Sequence, residues 1–289
     1  LATDLLDTLR KDHPALYERS RYCLVEISPT LQAVQQERLR PQHNEHVSWA
    51  TSLEELPSGV SGAILGNEFI DAFPVHVLQN REGTLLEQFV DIAPEEGLKL
   101  IYAEPSNPRL KQLLARYEIE LAPGEQVEIN LESAAWFAHA SRVLDRGVVT
   151  LIDYGDTQPS RYSQRRREGT LLAYYGGAVT DDVLAHPGEQ DITALVDFTA
   201  LKHEATDVGF LMLGMARQAS FLVGLGLGTT VTTEGQSDEL TSALNYRRGL
   251  QTLVSMEGLG RFHVLLLGKG LDPHGAGASL SGLKYAGLL

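Results

Sequence analysis

The sequence predicts an α/β fold in which a mainly parallel sheet is covered on both faces by helices. Three observations predict it. Short apolar segments alternate with stretches of helical periodicity along the 289 residues. Those segments, RYCLVEI at 21–27, GAIL at 62–65, VVTLI at 148–152 and FHVLLL at 262–267, are apolar nearly throughout. Strands buried on both faces read this way. The first three end in polar residues: Glu26, then Asn67 and Glu68, then Asp153. Open α/β sheets bind ligands beyond the carboxyl ends of their strands.

The elements follow in order. Leu1, Leu5, Leu6 and Leu9 recur at helical spacing ahead of Pro14. A strand spans 21–27. Pro29 opens a second helix with Leu31, Val34 and Leu39 on one face, and proline suits a first helical turn. A strand at 62–65 follows. Residues 75–79 and 84–92 flank Asn80-Arg81-Glu82-Gly83 as a β-hairpin. Residues 125–144 read as one long helix stopped by Gly147. After the strand at 148–152 comes a polar loop to about Gly169. The pattern then gives a helix at 193–205, a strand at 209–213, and helices at 216–225 and 237–255. The last strand is 262–267. The tail from Gly270 is rich in Gly, Ser and Ala and reads as loose.

Composition bounds the function. The chain is 43% hydrophobic and 21% charged, as a globular protein with an ample core is. It has no apolar run of roughly 18 residues, so no membrane span is expected. A net charge of −14 argues against a nucleic-acid partner. Cys23 is the single cysteine, which excludes an intrachain disulfide and fits a reducing compartment. The chain opens on a helix-like stretch, so it is expected to begin inside a domain.

Three segments could carry chemistry. Glu26 closes a strand about where a nucleoside-binding α/β unit places the carboxylate that takes the ribose hydroxyls; it also reads as a surface glutamate. The segment 66–74, GNEFIDAFP, puts Asn67, Glu68 and Asp71 in one strand-to-loop turn. These carboxylates suit a bidentate grip on a guanidinium, or proton acceptance; the alternative is a capping turn. In PGEQDIT at 187–193, Asp191 or Thr193 reads as the cap of a following helix, or as a group facing a ligand. Arg161 and Arg165 to Arg167 form a basic run, read as a solvated loop or an anion clamp. His43 and His46 read as surface residues, and no metal site is expected. The sequence has no Gly-x-Ser-x-Gly elbow and no P-loop.

GNEFIDAFPVHVL at 66–78 resembles the GNEFFDALPVH signature of the MidA-like methyltransferases. That family includes a mitochondrial complex I assembly methyltransferase and bacterial relatives. LVEISPTL, VTLIDYG, REGTL and PGEQDITALVDFTAL are similar to further family segments in the same order. The resemblance runs from Leu1 to about Gly270. It implies a Rossmann-like class I methyltransferase fold over 1–289, with a hairpin and a helical insertion at 216–256. It implies S-adenosyl-L-methionine (SAM) as cofactor. It implies an arginine side chain of a partner protein, such as a respiratory-complex or other assembly subunit, as methyl acceptor. Glu68, Asp71 and Asp191 are then the catalytic candidates. Glu26, Asn67 and Asp153 are the cofactor candidates. The compartment would be the bacterial cytoplasm, or the mitochondrial matrix in a eukaryote. The family's glycine-rich loop is expected just before Leu1. Ile70 replaces a usual phenylalanine, and Gly176-Gly177 stands where relatives tend to carry a basic or histidine pair. Two other readings are a non-catalytic assembly factor and a nicotinamide-dependent oxidoreductase.

Overall fold

The computed structural model describes residues 1–94, 97–157, 168–228, 240–272 and 280–287. The basic run at Arg161 and Arg165 to Arg167 and residues 273–279 of the tail lie outside the described residues. The chain divides into two compact units: Leu1–Val60 with Arg142–Asp145, and Ser61–Ser141 with Arg146–Leu289.

The first unit begins with α1 (Ala2–Asp12) and α2 (Pro14–Arg19). Pro14, at the start of α2, cannot continue α1 because it lacks the N–H that α1 would need. Strand β1 (Tyr22–Val25) leads to α3 (Pro29–Arg38), whose start is fixed by Pro29 and by Ser28, whose Oγ accepts from the Leu31 N–H. Strand β2 (Val47–Ala50), which the apolar pattern did not reveal, pairs parallel with β1 from Tyr22↔Val47 to Val25↔Ala50. Arg142 belongs here because its guanidinium donates to the carbonyls of Leu53, Glu54 and Leu56. One expectation is corrected. His43 is buried rather than at the surface. Its Nδ1 meets the Tyr17 hydroxyl at 2.8 Å and its Nε2 meets Asp7 Oδ1 at 2.9 Å. An imidazole with both nitrogens engaged can leave water at little cost. His46 is half-buried, its ring 4.1 Å from that of Tyr17.

The second unit carries the remaining sheets. Strand β3 (Val60–Asn67) precedes β4 (Val75–Arg81) and β5 (Thr84–Ala93), which form the expected hairpin. Next come β6 (Gly97–Ala103) and α4 (Pro108–Arg116). The expected long helix at 125–144 is corrected. Residues Gln126–Asn130 form β7, antiparallel to β4, and only Glu132–Val143 form a helix, α5. Val127 and Ile129 are buried, and Asn130 Oδ1 accepts from the Glu132 and Ser133 N–H groups, so the helix is capped there. Leu110 and Leu114 of α4 pack on Leu78, Val127 and Ile129, giving the sheet β6-β5-β4-β7 its own core.

Strand β8 (Leu144–Asp153) runs straight through Gly147. Gly147 is therefore not a helix stop. It has φ 151°, and a Cβ there would stand 1.8 Å from the Gly62 carbonyl oxygen, so it allows close approach of backbone from β3. Short strands follow: β9 (Gly155–Asp156), β10 (Leu172–Tyr175), β11 (Ala178–Thr180), β12 (Asp191–Thr193) and β13 (Val196–Asp197). Gly176 and Gly177, at φ 57° and 82°, make the two-residue turn between β10 and β11. Two left-handed residues in a row suit glycine there.

The unit ends with α6 (Phe198–Asp207), β14 (Leu211–Arg217), α7 (Gln218–Gly224), α8 (Leu240–Val254) and β15 (His263–Lys269). Its main sheet has the order β14-β15-β8-β3. Val149 and Leu151 of β8 and Val264, Leu265 and Leu267 of β15 form its buried centre. The expected alternation of strands and helices holds, and so does the mostly parallel course of the main sheet, with β15 as its reversed strand. Strands β1/β2 and β9/β13 pair parallel, β3 follows β8 in the same direction from Gly62 beside Gly147 to Glu68 beside Ile152, and β14 runs the same way as β8, whereas β15 runs antiparallel to both β8 and β14. The cause is the helical segment between β14 and β15, which leaves and re-enters at one end of the sheet: the Gln218 N–H donates to the Phe262 carbonyl at 2.8 Å. The β4–β7 sheet is antiparallel throughout. Among the described residues no helix is long and apolar enough to cross a membrane.

Candidate functional site

The polar segment after β3 is held at the carboxyl end of β8. The Glu68 N–H donates to the Ile152 carbonyl at 2.8 Å. Beyond it, the N–H groups of Phe69, Ile70 and Asp71 converge on one oxygen of Asp153, at 3.2, 3.0 and 3.3 Å. The other Asp153 oxygen accepts from the Tyr154 N–H at 2.9 Å. Asp153 is only 1% exposed, so its carboxylate organises the main chain of the turn. Glu68, clamped on both sides, takes φ 46°, a left-handed conformation that is uncommon for a non-glycine residue. Strain of this kind persists where surrounding structure enforces it, and such positions cluster at active sites. Asn67 and Glu68 are exposed, with the Asn67 amide donating to Glu68 Oε1 at 3.3 Å.

Asp71 faces inward. One of its oxygens accepts from the Tyr154 hydroxyl at 2.5 Å and from the Thr193 hydroxyl at 3.0 Å, and the two hydroxyls also touch. Its other oxygen, Oδ1, is buried with no hydrogen-bond partner. Burial, and then the Asp71 hydrogen bond, raises the Tyr154 hydroxyl above its usual range, which keeps it a donor. Burial, with the Asp71 charge second, pushes the Asp153 carboxyl up to about 7, against the pull of its N–H donors.

This shift has a testable sign. The folded pKa of Asp153 lies above the unfolded carboxylate value, so between the two the folded protein holds the extra proton. Its contribution is complete below the unfolded value and is lost as pH rises through about 7. Glu204, raised to about 7 mainly by burial, acts in the same direction. Urea unfolding of the wild type and Asp153→Asn at several pH values isolates the Asp153 part. The wild-type stability is expected to fall relative to the variant by up to about 1.4 kcal/mol per pH unit across that window. A constant difference would refute the shift.

The other anticipated residues lie as follows. Glu26 follows β1 in the first unit. One carboxylate oxygen accepts from the Ser28 N–H at 2.9 Å and the other from the Gln35 amide at 3.1 Å. Asp191 opens β12, opposite Tyr174, and is exposed. Neither Asp191 nor Thr193 caps a helix, because the chain pairs with β10 at 191–193 and β9 at 196–197 before it turns. The cap is Asp197, whose Oδ1 accepts from the Thr199 and Ala200 N–H groups. Tyr154 is the neighbour of Asp71 that sequence reasoning missed, whereas Thr193, read as a cap or a ligand-facing group, turns its hydroxyl to Asp71. Tyr154 had one usable signal, its place directly after a strand-terminal aspartate. Among the described residues no three His, Cys, Asp or Glu side chains gather as a metal site.

Comparison with known proteins adds the following. Residues 1–216 match the family described as "Putative S-adenosyl-L-methionine-dependent methyltransferase". The chain is 30% identical over 257 residues to the mitochondrial protein arginine methyltransferase NDUFAF7 of Danio rerio, covering 82% of this chain and 58% of that protein. It is 30% identical to the Mus musculus protein of the same name over 76% of this chain and 49% of that one. The chain therefore spans about half the length of these curated relatives. A Burkholderia thailandensis protein solved with S-adenosyl-homocysteine bound superposes with a TM-score of 0.84 at 28% identity, over 99% of this chain and 71% of that one. A second structure from that organism gives 0.80 at 27% identity, over 92% and 70%.

Proposed function

The chain belongs to the MidA-like family of SAM-dependent methyltransferases, and from that premise we propose that it methylates a guanidinium nitrogen of an arginine in a partner protein. The observation that carries this reading is Glu68: an exposed carboxylate held in a left-handed conformation by main-chain bonds on either side. The arginine acceptor is supported by the names of the relatives.

The residues present fit the cofactor. Each Glu26 oxygen is steadied by one N–H and keeps lone pairs for a ribose hydroxyl. Asn67, whose amide is exposed, is a further cofactor candidate, on the second unit. When bound, SAM supplies a methyl group activated on a positively charged sulfur. The protein's task is alignment of the acceptor and control of one proton. A guanidinium has five N–H donors and no free lone pair suited to attack. The Glu68 carboxylate accepts from it in a fork, orients the reacting nitrogen, and takes the proton released when the N–C bond forms. Asp153 is a positioning residue, since its oxygens hold the turn rather than a ligand. Asp71, joined to Tyr154 and Thr193, fixes the inner side of the turn. Asp191, exposed beside that network, would contact the partner.

The whole of 1–289 serves as one methyltransferase-like domain in this reading, with 216–256 as an insertion. Its partner would be a respiratory-complex or other assembly subunit, in the matrix of a eukaryote or the cytoplasm of a bacterium. The test is tritium transfer from labelled SAM to arginine peptides and their lysine counterparts, using the full-length protein. Label recovered in arginine supports the reading, and label only in other residues refutes the acceptor. Glu26→Ala is expected to raise the SAM Kd about tenfold or more, since a lost hydrogen bond to a charged group is worth roughly 1.5–3 kcal/mol. An unaltered Kd would remove the ribose role.

A further inference from the structure

Strands β10, β11 and β12 form a small antiparallel sheet whose register fixes which side chains share a face. Side chains alternate along a strand, and directly paired residues point the same way. Tyr174 pairs with Val179 on one side and with Asp191 on the other, and Leu172 pairs with Thr193. One face therefore carries Leu172, Tyr174, Val179, Asp191 and Thr193. Its inner end is Thr193, 4% exposed, whose hydroxyl donates to Asp71 at 3.0 Å. Its outer end is open: Tyr174 is 44% exposed, Val179 is 55% exposed, and Asp191 is exposed as well. On the opposite face the Tyr175 ring stacks on that of His186, with centroids 3.8 Å apart. Among the described residues the Tyr174 ring has no such cover, and the Asp191 carboxylate has no ion pair or hydrogen bond.

A tyrosine ring directly across the ladder from a carboxylate makes a two-part grip for a flat cation. Cβ atoms in such a pair stand roughly 4.5–5.5 Å apart. A guanidinium lying on the ring can donate, in its own plane, to the carboxylate beside it. An ammonium is a compact point charge without that planar fork. The surrounding charge has the matching sign. Residues 168–193 contain Glu168, Asp181, Asp182, Glu189 and Asp191 and no Lys or Arg. A cationic chain is drawn to such a segment and an acidic one is repelled. Asp191 stands two residues from Thr193 on the same face, about 7 Å along the strand. The open end of the face is thus continuous with the Asp71 network of the candidate site.

We propose that this face is the docking platform for a basic segment of the acceptor protein, and that Tyr174 and Asp191 form a subsite for a second arginine near the one that is methylated. The Tyr174 ring takes the face of the second guanidinium and Asp191 takes its N–H groups. Val179 offers apolar surface to the stem of that side chain. Asp191 is then a specificity residue, touching the partner's cation and not the reacting nitrogen. Glu68 keeps the acceptor arginine, and the platform sets which arginine reaches it. The inference deepens the proposed function and rests on it for the acceptor arginine, whereas the subsite itself stands on the Tyr174–Asp191 pair.

The test is fluorescence anisotropy of labelled peptides with the full-length protein, without cofactor. The probes are glycine-rich peptides with one central arginine and a second arginine roughly two to four residues away on either side. Their controls carry neutral citrulline at the second position. At the best spacing the second arginine is expected to tighten binding to the wild type by about fivefold or more, the scale of one cation–π contact with an exposed ion pair. That gain is expected to vanish in Asp191→Asn and in Tyr174→Ala and to persist in Tyr174→Phe, which keeps the ring. Both side chains are exposed, so the variants are expected to fold, as melting curves will verify. Equal affinity for arginine and citrulline peptides at every spacing would overturn the proposal. So would an undiminished gain in the folded Asp191→Asn and Tyr174→Ala proteins. A gain seen in a protein that transfers no methyl group from SAM would uphold the subsite and refute the methyl-transfer reading. Methyl transfer to arginine with equal affinity for both peptides would uphold that reading and refute the subsite.

Discussion

Glu68→Ala is expected to lower the methyl-transfer rate of the full-length protein by about 10²–10³-fold, the range for losing a positioned proton acceptor or a donor–acceptor clamp at the reacting atom. The SAM Kd should remain within about twofold, because the loss falls on the acceptor side of the reaction. Glu68 is exposed, so removing its carboxylate leaves no buried polar group unpaired. The left-handed φ of 46° is imposed by the main-chain bonds around it and is unfavourable for alanine as well, so the fold should change little. Single-turnover kinetics with labelled SAM separate the two constants. A rate within a factor of three of the wild type would strike Glu68 from the catalytic list.

Asp153→Ala is expected to be the more damaging change to the protein as a whole. It strips the acceptor from the N–H groups of Phe69, Ile70, Asp71 and Tyr154 at once. Removing one partner from a buried charged network typically costs about 3–5 kcal/mol. Urea unfolding should show that loss. Transfer should fall sharply in the fraction that stays folded, since only the bond from its N–H to the Ile152 carbonyl then holds Glu68 at the end of β8. Asp153→Asn keeps one oxygen acceptor and should fall between the two. A destabilisation below about 1 kcal/mol, with transfer retained, would mean that the turn is set by something other than Asp153.

Much of this could be read from the residues. The strands at 21–27, 62–65, 148–152 and 262–267 are apolar enough to declare themselves, and Pro29 marked its helix. Other elements were hidden for physical reasons. Strand β2 is four residues long, too short for a period to show. Strand β7 runs into α5 after a single intervening residue, and QVEIN flows into a helical pattern; the break is marked only by the Asn130 cap. The start of α6 was placed too early because Asp191 and Thr193 are good capping residues, yet a strand partner claims both before Asp197 takes the role. In the site, Asn67, Glu68, Asp71 and Asp153 were legible as a density of polar groups after apolar strands. Their division of labour was not. Thr193 reaches Asp71 across 122 positions and Tyr154 reaches it across 83, and no local pattern encodes such contacts.

The central claim is that this chain serves a SAM-dependent reaction, and calorimetric titration of the full-length protein with SAM tests it most directly. Saturable one-to-one binding is the expected result. A protein shown to be folded, yet giving no heat of binding at millimolar SAM, would contradict the account and leave the family fold here as a scaffold for assembling partners.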